Sequence, residues 1–292
     1  TPLVNILCGM IRPDKGTAII GGHDIRYDVD QVQSMIGLCP QFDVLVDELT
    51  VREHLLFYAR IKGCPIRQES EHVEELIKEV LLFTERRRLS GNLSGGQKRR
   101  LSLAIALTGN PAVVFLDEPS SALDPGSTRE MWEILVEARK NRCFLVTTHS
   151  MAEADTICTM IGIVSQGQLK CIGTQQFLKS TYGQGYKTDI FCTPTNQPSA
   201  RQFFESLAPG AELVHSTQSG LVYRLPKSTP LSELFSQVEQ HKYQHGIQNW
   251  AVTQSSLDEV FISIVQADEH GNNNAGGGAS PAPAPITQAG TP

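Results

Sequence analysis

An apolar run, Val113–Leu116, ends in two adjacent carboxylates, Asp117 and Glu118. The C-terminal end of a buried strand is where ligands dock in open α/β sheets. An aspartate placed there can hold a phosphate-bound magnesium ion, directly or through water. A glutamate one residue on can polarise an attacking water. Two acidic residues alone would equally well cap a loop, so their neighbours decide. Ser121-Ala122-Leu123-Asp124 follows closely, and His149 stands in Thr147-Thr148-His149-Ser150 after the next apolar run. Upstream, Leu93-Ser94-Gly95-Gly96-Gln97 opens a helical run that reaches Leu107. A helix N-terminus offers unpaired N–H groups and the positive end of a dipole, and glycines let an anion approach the backbone closely. That string therefore reads as a second phosphate-binding element.

Positioning such groups requires strands and crossover helices. Gly16–Ile20, Met35–Cys39, Ala112–Leu116 and Cys143–Thr147 are short runs suited to strands, the last two to buried parallel ones. Leu3–Met10 predicts a helix ending near Gly9. Val51–Lys62 and Glu69–Phe83 carry helical apolar spacing with charged outer faces, and Ser127–Arg139 predicts a crossover helix. Met160–Val164 and Gln168–Ile172, split by Gln166-Gly167, predict a hairpin. This alternation implies a parallel sheet flanked by helices over residues 1–182, with a helical subdomain at about 45–110.

Residues 183–266 change character. Their order of strand, helix, two strands about Ser219-Gly220, helix and strand, followed by a final helix at Leu257–Val265, predicts a small α+β ferredoxin-like domain without a chemical motif. Residues 267–292, rich in Asn, Gly, Ala and Pro, predict a disordered tail.

Composition narrows the function classes. The chain of 292 residues is 40% hydrophobic and 19% charged, ordinary for a globular protein. A net charge of −6 gives no reason to expect nucleic-acid binding, and Arg86-Arg87-Arg88 and Lys98-Arg99-Arg100 read as solvated helix faces. Seven scattered cysteines without a CxxC pair predict reduced thiols rather than disulfides or a zinc site. No apolar run reaches the roughly 18 residues that a membrane-spanning helix needs, and the first residues lack the pattern of a signal peptide.

In order and spacing, Leu93–Gln97, Val113–Pro119, Ser121–Asp124 and Thr147–Ser150 resemble the second half of an ATP-binding cassette, the engine domain of ABC transporters. The resemblance implies a P-loop NTPase-type fold, ATP and Mg2+ as ligands, and a composite site between two cassettes meeting head to tail. It makes Asp117 the magnesium aspartate, Glu118 the catalytic glutamate and His149 the switch histidine. Gln41, in Cys39-Pro40-Gln41-Phe42-Asp43, matches a glutamine that reaches the magnesium and the attacking water. Leu93, Ser94, Gly95, Gly96 and Gln97 would bind the γ-phosphate of nucleotide held by a partner. Ser121, Ala122, Leu123 and Asp124 would pass communication across the dimer. Thr1 aligns with a magnesium-binding hydroxyl, but no GxxxxGK[ST] loop precedes it, so the isolated chain is expected to bind ATP no better than millimolar, about 4 kcal/mol. Thr148–Tyr186 and Ser255–Ile264 resemble subfamily A, whose members often move lipids. The implied partners are transmembrane domains and a second cassette, on the cytoplasmic face of a membrane. A soluble ABC ATPase acting on ribosomes or DNA and a non-catalytic regulatory cassette are the alternatives.

Overall fold

Adjacent parallel strands need crossover connections long enough for a helix, and the first part of the chain supplies them. The computed structural model describes residues 2–140, 142–183 and 185–274, and the chain divides into two compact units between Cys158 and Thr159. The first unit runs α1 (Pro2–Leu7), β1 (Ile19–Ile20), β2 (His23–Asp24), α2 (Val29–Met35), β3 (Ile36–Cys39), α3 (Val51–Ile61), α4 (Ile66–Glu79), α5 (Gly95–Leu107), β4 (Val113–Asp117), α6 (Pro125–Ala138), β5 (Cys143–Thr147) and α7 (Met151–Ile157). Strands β3, β4 and β5 form a parallel sheet with β4 central, and β1 and β2 form a separate antiparallel pair.

Alternation along the three parallel strands divides the core into two layers. Ile36 and Phe115 are buried on one face with Val4, Cys8, Ile25 and Val32, and Leu38, Val113 and Leu145 pack against them. Cys39, Val114 and Leu116 are buried on the other, where Phe144 and Val146 also pack, beneath residues of α3 to α6. Gly37 faces this second layer. A Cβ there would stand 1.9 Å from the Ala106 carbonyl oxygen, so glycine is what lets α5 lie against β3.

Capping explains several boundaries. Thr50 and Glu53 form a reciprocal capping box that starts α3. Helix α1 stops at Leu7, short of the expected Met10. Gly9 is left-handed at φ +72, Met10 N–H donates to the Asn5 carbonyl and Gly9 N–H to that of Ile6, a Schellman closure. Met35, expected in a strand, closes α2 instead, and β3 begins one residue later. The expected strand at Gly16–Ile20 shortens to Ile19–Ile20. His54 is buried in α3. Its Nε2 accepts from the Val46 N–H at 3.0 Å and its Nδ1 donates to the Thr50 carbonyl at 3.0 Å, which fixes a neutral tautomer.

The second unit contains β6 (Ile161–Ser165), β7 (Gln168–Gly173), α8 (Gln175–Tyr182), β8 (Tyr186–Cys192), α9 (Gln197–Leu207), β9 (Glu212–Thr217), β10 (Gly220–Leu225), α10 (Leu231–His241), β11 (Ile247–Gln254) and α11 (Leu257–Asn274). The β6–β7 hairpin turns through left-handed Gln166 and Gly167. The other four strands form an antiparallel sheet in the order β11-β8-β10-β9, the ferredoxin-like arrangement that the sequence predicts. Ile190, Phe204, Tyr223 and Trp250 centre its core. The Trp250 Nε1–H donates to Glu239 at 2.9 Å, satisfying the indole within that core. Helix α11 extends past the expected Val265 to Asn274; residues 275–292 of the expected tail lie outside the described residues.

Cys8, Cys39, Cys64, Cys143, Cys171 and Cys192 carry free thiols. Cys8 and Cys39 are buried, and burial pushes both thiols up to about 11. Cys143 is exposed. Thiol labelling of the native protein at pH 8 should modify Cys143 first and reach Cys8 and Cys39 only on unfolding; early labelling of Cys39 would contradict the packing. Gly37→Ala should lower the stability of the first unit by about 1–3 kcal/mol through overpacking, measured as a reduced urea midpoint at unchanged m-value. An unshifted midpoint would refute the close approach of α5 to β3.

Candidate active site

Parallel pairing brings the C-terminal ends of three strands to one edge. Register sets Cys39 beside Leu116 and Asp117 beside Thr147. Gln41 follows the end of β3, Glu118 follows β4, and His149 follows β5. The Gln41 amide Nε2 donates to Glu118 Oε2 at 3.2 Å, and His149 Nδ1 stands 3.5 Å from the same oxygen. Glu118 is thus the meeting point of the two flanking residues. The His149 side chain is 74% exposed and that of Glu118 27%, so the group faces outward and is open to a ligand. Asp117 is buried at the strand end, where Thr147 Oγ1 donates to its Oδ1 at 2.6 Å.

Glu118 has a left-handed backbone, φ 49, which a residue with a Cβ adopts only when its surroundings hold it there. Its N–H donates to the Thr147 carbonyl at 3.0 Å. Its carbonyl accepts from the Ser121 N–H at 3.2 Å, which leads into the Ser121–Asp124 turn. Ala122 in that turn is also left-handed at φ 62, and Leu123 packs against the core. Asp124 caps α6, accepting from the Gly126 and Ser127 N–H groups and from Ser127 Oγ. The Ser127 hydroxyl and backbone bonds, with that of Gly126, hold the Asp124 carboxyl below the usual carboxylate range. The cap is therefore complete above that range and weakens as pH falls through the lowered pKa.

The Leu93–Gln97 string divides its work. Leu93 is a core residue. Ser94 caps α5 and forms a capping box with Gln97: Ser94 Oγ accepts from the Gln97 N–H, and Gln97 Oε1 accepts from the Ser94 N–H at 3.0 Å. A Cβ on Gly96 would meet Ser127 Oγ at 2.3 Å, so this glycine lets α5 contact the first turn of α6, whereas Gly95 opens to free space. Ser94 and Gly95 are exposed and share no described hydrogen bond with Gln41, Glu118 or His149. The strand edge and the α5 N-terminus are separate elements of this chain.

Two residues with structural parts in the site went unassigned by sequence reasoning. Thr147 became visible only through its register with Asp117. Arg99, read as part of a solvated helix face, is 3% exposed, and the expectation is corrected: its guanidinium lies under the site because Gly96, Arg99, Leu103 and Ala106 fall on the buried side of α5. Arg87 and Arg88 are exposed, but Arg86–Arg88 lie in a turn beyond the end of α4 at Glu79 and not on a helix face, and Arg86 is half-buried. Thr1 lies outside the described residues.

Among the described residues, no group of three or more His, Cys, Asp and Glu side chains could by itself hold a metal ion. Magnesium is commonly bound by one or two carboxylates together with phosphate oxygens and water. Asp117, with Gln41 and Glu118 alongside, offers oxygen donors of the type that such a shared shell needs.

The family described as ABC transporter matches residues 1–121. ABC transporter A family member 9 of Dictyostelium discoideum is 41% identical over 92% of this chain and 32% of its own length. A family member 12 of Arabidopsis thaliana is 38% identical over 91% of this chain and 29% of its own length. The chain thus spans about a third of the length of these relatives. An ATP-binding subunit of an ABC transporter superposes with a TM-score of 0.55 at 24% identity, over 62% of this chain and 76% of that one. A dimeric ATP-binding cassette in a post-hydrolysis state with ADP and Pi superposes at 0.53 and 22% identity, over 59% and 79%. Both carry the same fold. With the match to residues 1–121, the A-family relatives along nearly the whole chain mark it as similar to the nucleotide-binding cassettes of A-family ABC transporters, and the two solved structures show the fold.

Proposed function

We propose that this chain hydrolyses ATP at a composite site formed head to tail with a second cassette, and that the cycle powers transport through transmembrane domains. The convergence of Gln41 and His149 on one oxygen of Glu118 carries the reading. Glu118 accepts a proton from the attacking water as general base. Gln41 and His149 orient that water and the γ-phosphate. Asp117 holds the magnesium side of the nucleotide, with Thr147 fixing its carboxylate. Bound Mg-ATP supplies the phosphoryl group and the metal charge that offsets the charge developing on it. The capped N-terminus of α5, with exposed Ser94 and Gly95, presents its N–H groups to the γ-phosphate of nucleotide held by the partner cassette.

In this reading residues 1–182 are the ATPase domain and 183–266 a small regulatory domain. Among the described residues no helix is long and apolar enough to cross a membrane. The cassette works on the cytoplasmic face, joined to membrane helices outside this sequence. Lipid is proposed as cargo on the A-family resemblance alone.

In the full-length protein, Glu118→Gln should lower kcat for ATP hydrolysis by about 10²–10⁴-fold, the range for losing a general base, while ATP binding stays within a few-fold. His149→Ala should abolish turnover with nucleotide binding nearly intact. Either variant hydrolysing ATP at the wild-type rate would sink the assignment of that residue.

A further inference from the structure

A buried guanidinium is costly unless its charge and its N–H groups are compensated. Arg99 uses all five of its donors. Its Nε donates to the Pro119 carbonyl at 2.8 Å. Nη1 donates to the Pro40 carbonyl at 2.5 Å and to Asp43 Oδ1 at 3.2 Å. Nη2 donates to the carbonyls of Asp117 and Glu118, each at 3.0 Å. Four of these five acceptors are backbone oxygens, and they belong to the two loops that carry Gln41 and Glu118. Pro40 directly precedes Gln41. The Glu118 carbonyl belongs to the residue held at φ 49, whose N–H is fixed from the other side by Thr147.

We propose that Arg99 is a positioning residue for hydrolysis: its fork sets the separation of the Gln41 and Glu118 loops and holds Glu118 in its left-handed conformation. The inference rests on the proposed hydrolytic role of Glu118 and Gln41. Arg99 also lies on the second turn of α5, the helix whose N-terminus serves the partner's nucleotide in that reading. One rigid side chain then joins the element facing one nucleotide to the residues that act on the other, so a shift of α5 on the closing of the dimer is felt at Glu118. A lysine cannot replace this, because a single ammonium has three donors and no planar fork.

The test is steady-state ATPase kinetics of the full-length protein with Arg99→Lys and Arg99→Met, alongside nucleotide binding and thermal melting. Lys98→Met, which removes a neighbouring cation on α5 that pairs with Asp47, is the charge control. Arg99→Lys should lower kcat about a hundredfold, the scale for misplacing a catalytic group by 1 Å, with KM within threefold, nucleotide binding retained and Lys98→Met near wild type. If Arg99→Met fails to fold, Arg99→Lys, which keeps the buried charge paired with Asp43, still decides. Wild-type kcat in Arg99→Lys would overturn the proposal, as would losses of activity, binding and melting temperature in parallel. Hydrolysis by Glu118→Gln equal to wild type would instead sink the underlying reading of the site, and the role of Arg99 with it.

Discussion

The catalytic edge depends on parallel pairing in register among three strands of four or five residues. Parallel strands carry their C-terminal ends to the same side, so pairing alone delivers the residue following each strand to a common place. Gln41, Glu118 and His149 are separated by scores of residues in the chain, yet they meet within hydrogen-bonding range or close to it. Because side chains alternate along a strand, a slip of one residue would send Asp117 to the opposite face and lose its bond to Thr147. Burial on both faces of β4 makes such a slip costly, which is why so short a sheet can hold a precise group.

Helix α5 is the second organising element. Its start is set locally, by the Ser94–Gln97 capping box. Its position is set by two close approaches, Gly96 against Ser127 in α6 and Ala106 against Gly37 in β3. Between those contacts Arg99 reaches into the sheet edge. The helix is therefore clamped to the crossover after the catalytic strand and to the strand that leads into Gln41. Motion of its N-terminus relative to Glu118 requires the arginine fork or one of the glycine contacts to give way.

The second unit has its own core around Phe204, Tyr223 and Trp250 and is satisfied internally, with Trp250 bonded to Glu239. No chemical string lies within it, and its antiparallel order follows from hairpins and crossovers that were readable as alternating runs. Where element ends departed from expectation, local backbone chemistry decided. The helix expected to end near Gly9 closes two residues earlier, at Leu7, with Gly9 left-handed in its cap, and Met35 completed α2 where its apolar character suggested a strand.

The sequence by itself determined the strings that carry chemistry and the alternation of strands and helices, because each is encoded over a few adjacent positions. It marked Asp117, Glu118, His149 and Gln41 through order and spacing. Tertiary structure alone decided that Thr147 holds Asp117, that Gly37 and Gly96 are points of close contact between elements, and that Arg99 is buried under the site. Those facts depend on which strand lies beside which, and on which face of α5 meets the sheet. A cluster of three basic residues looks like a solvated surface in one dimension; only the packing of the helix against two loops supplies the ring of carbonyl oxygens that makes burial of one of them stable.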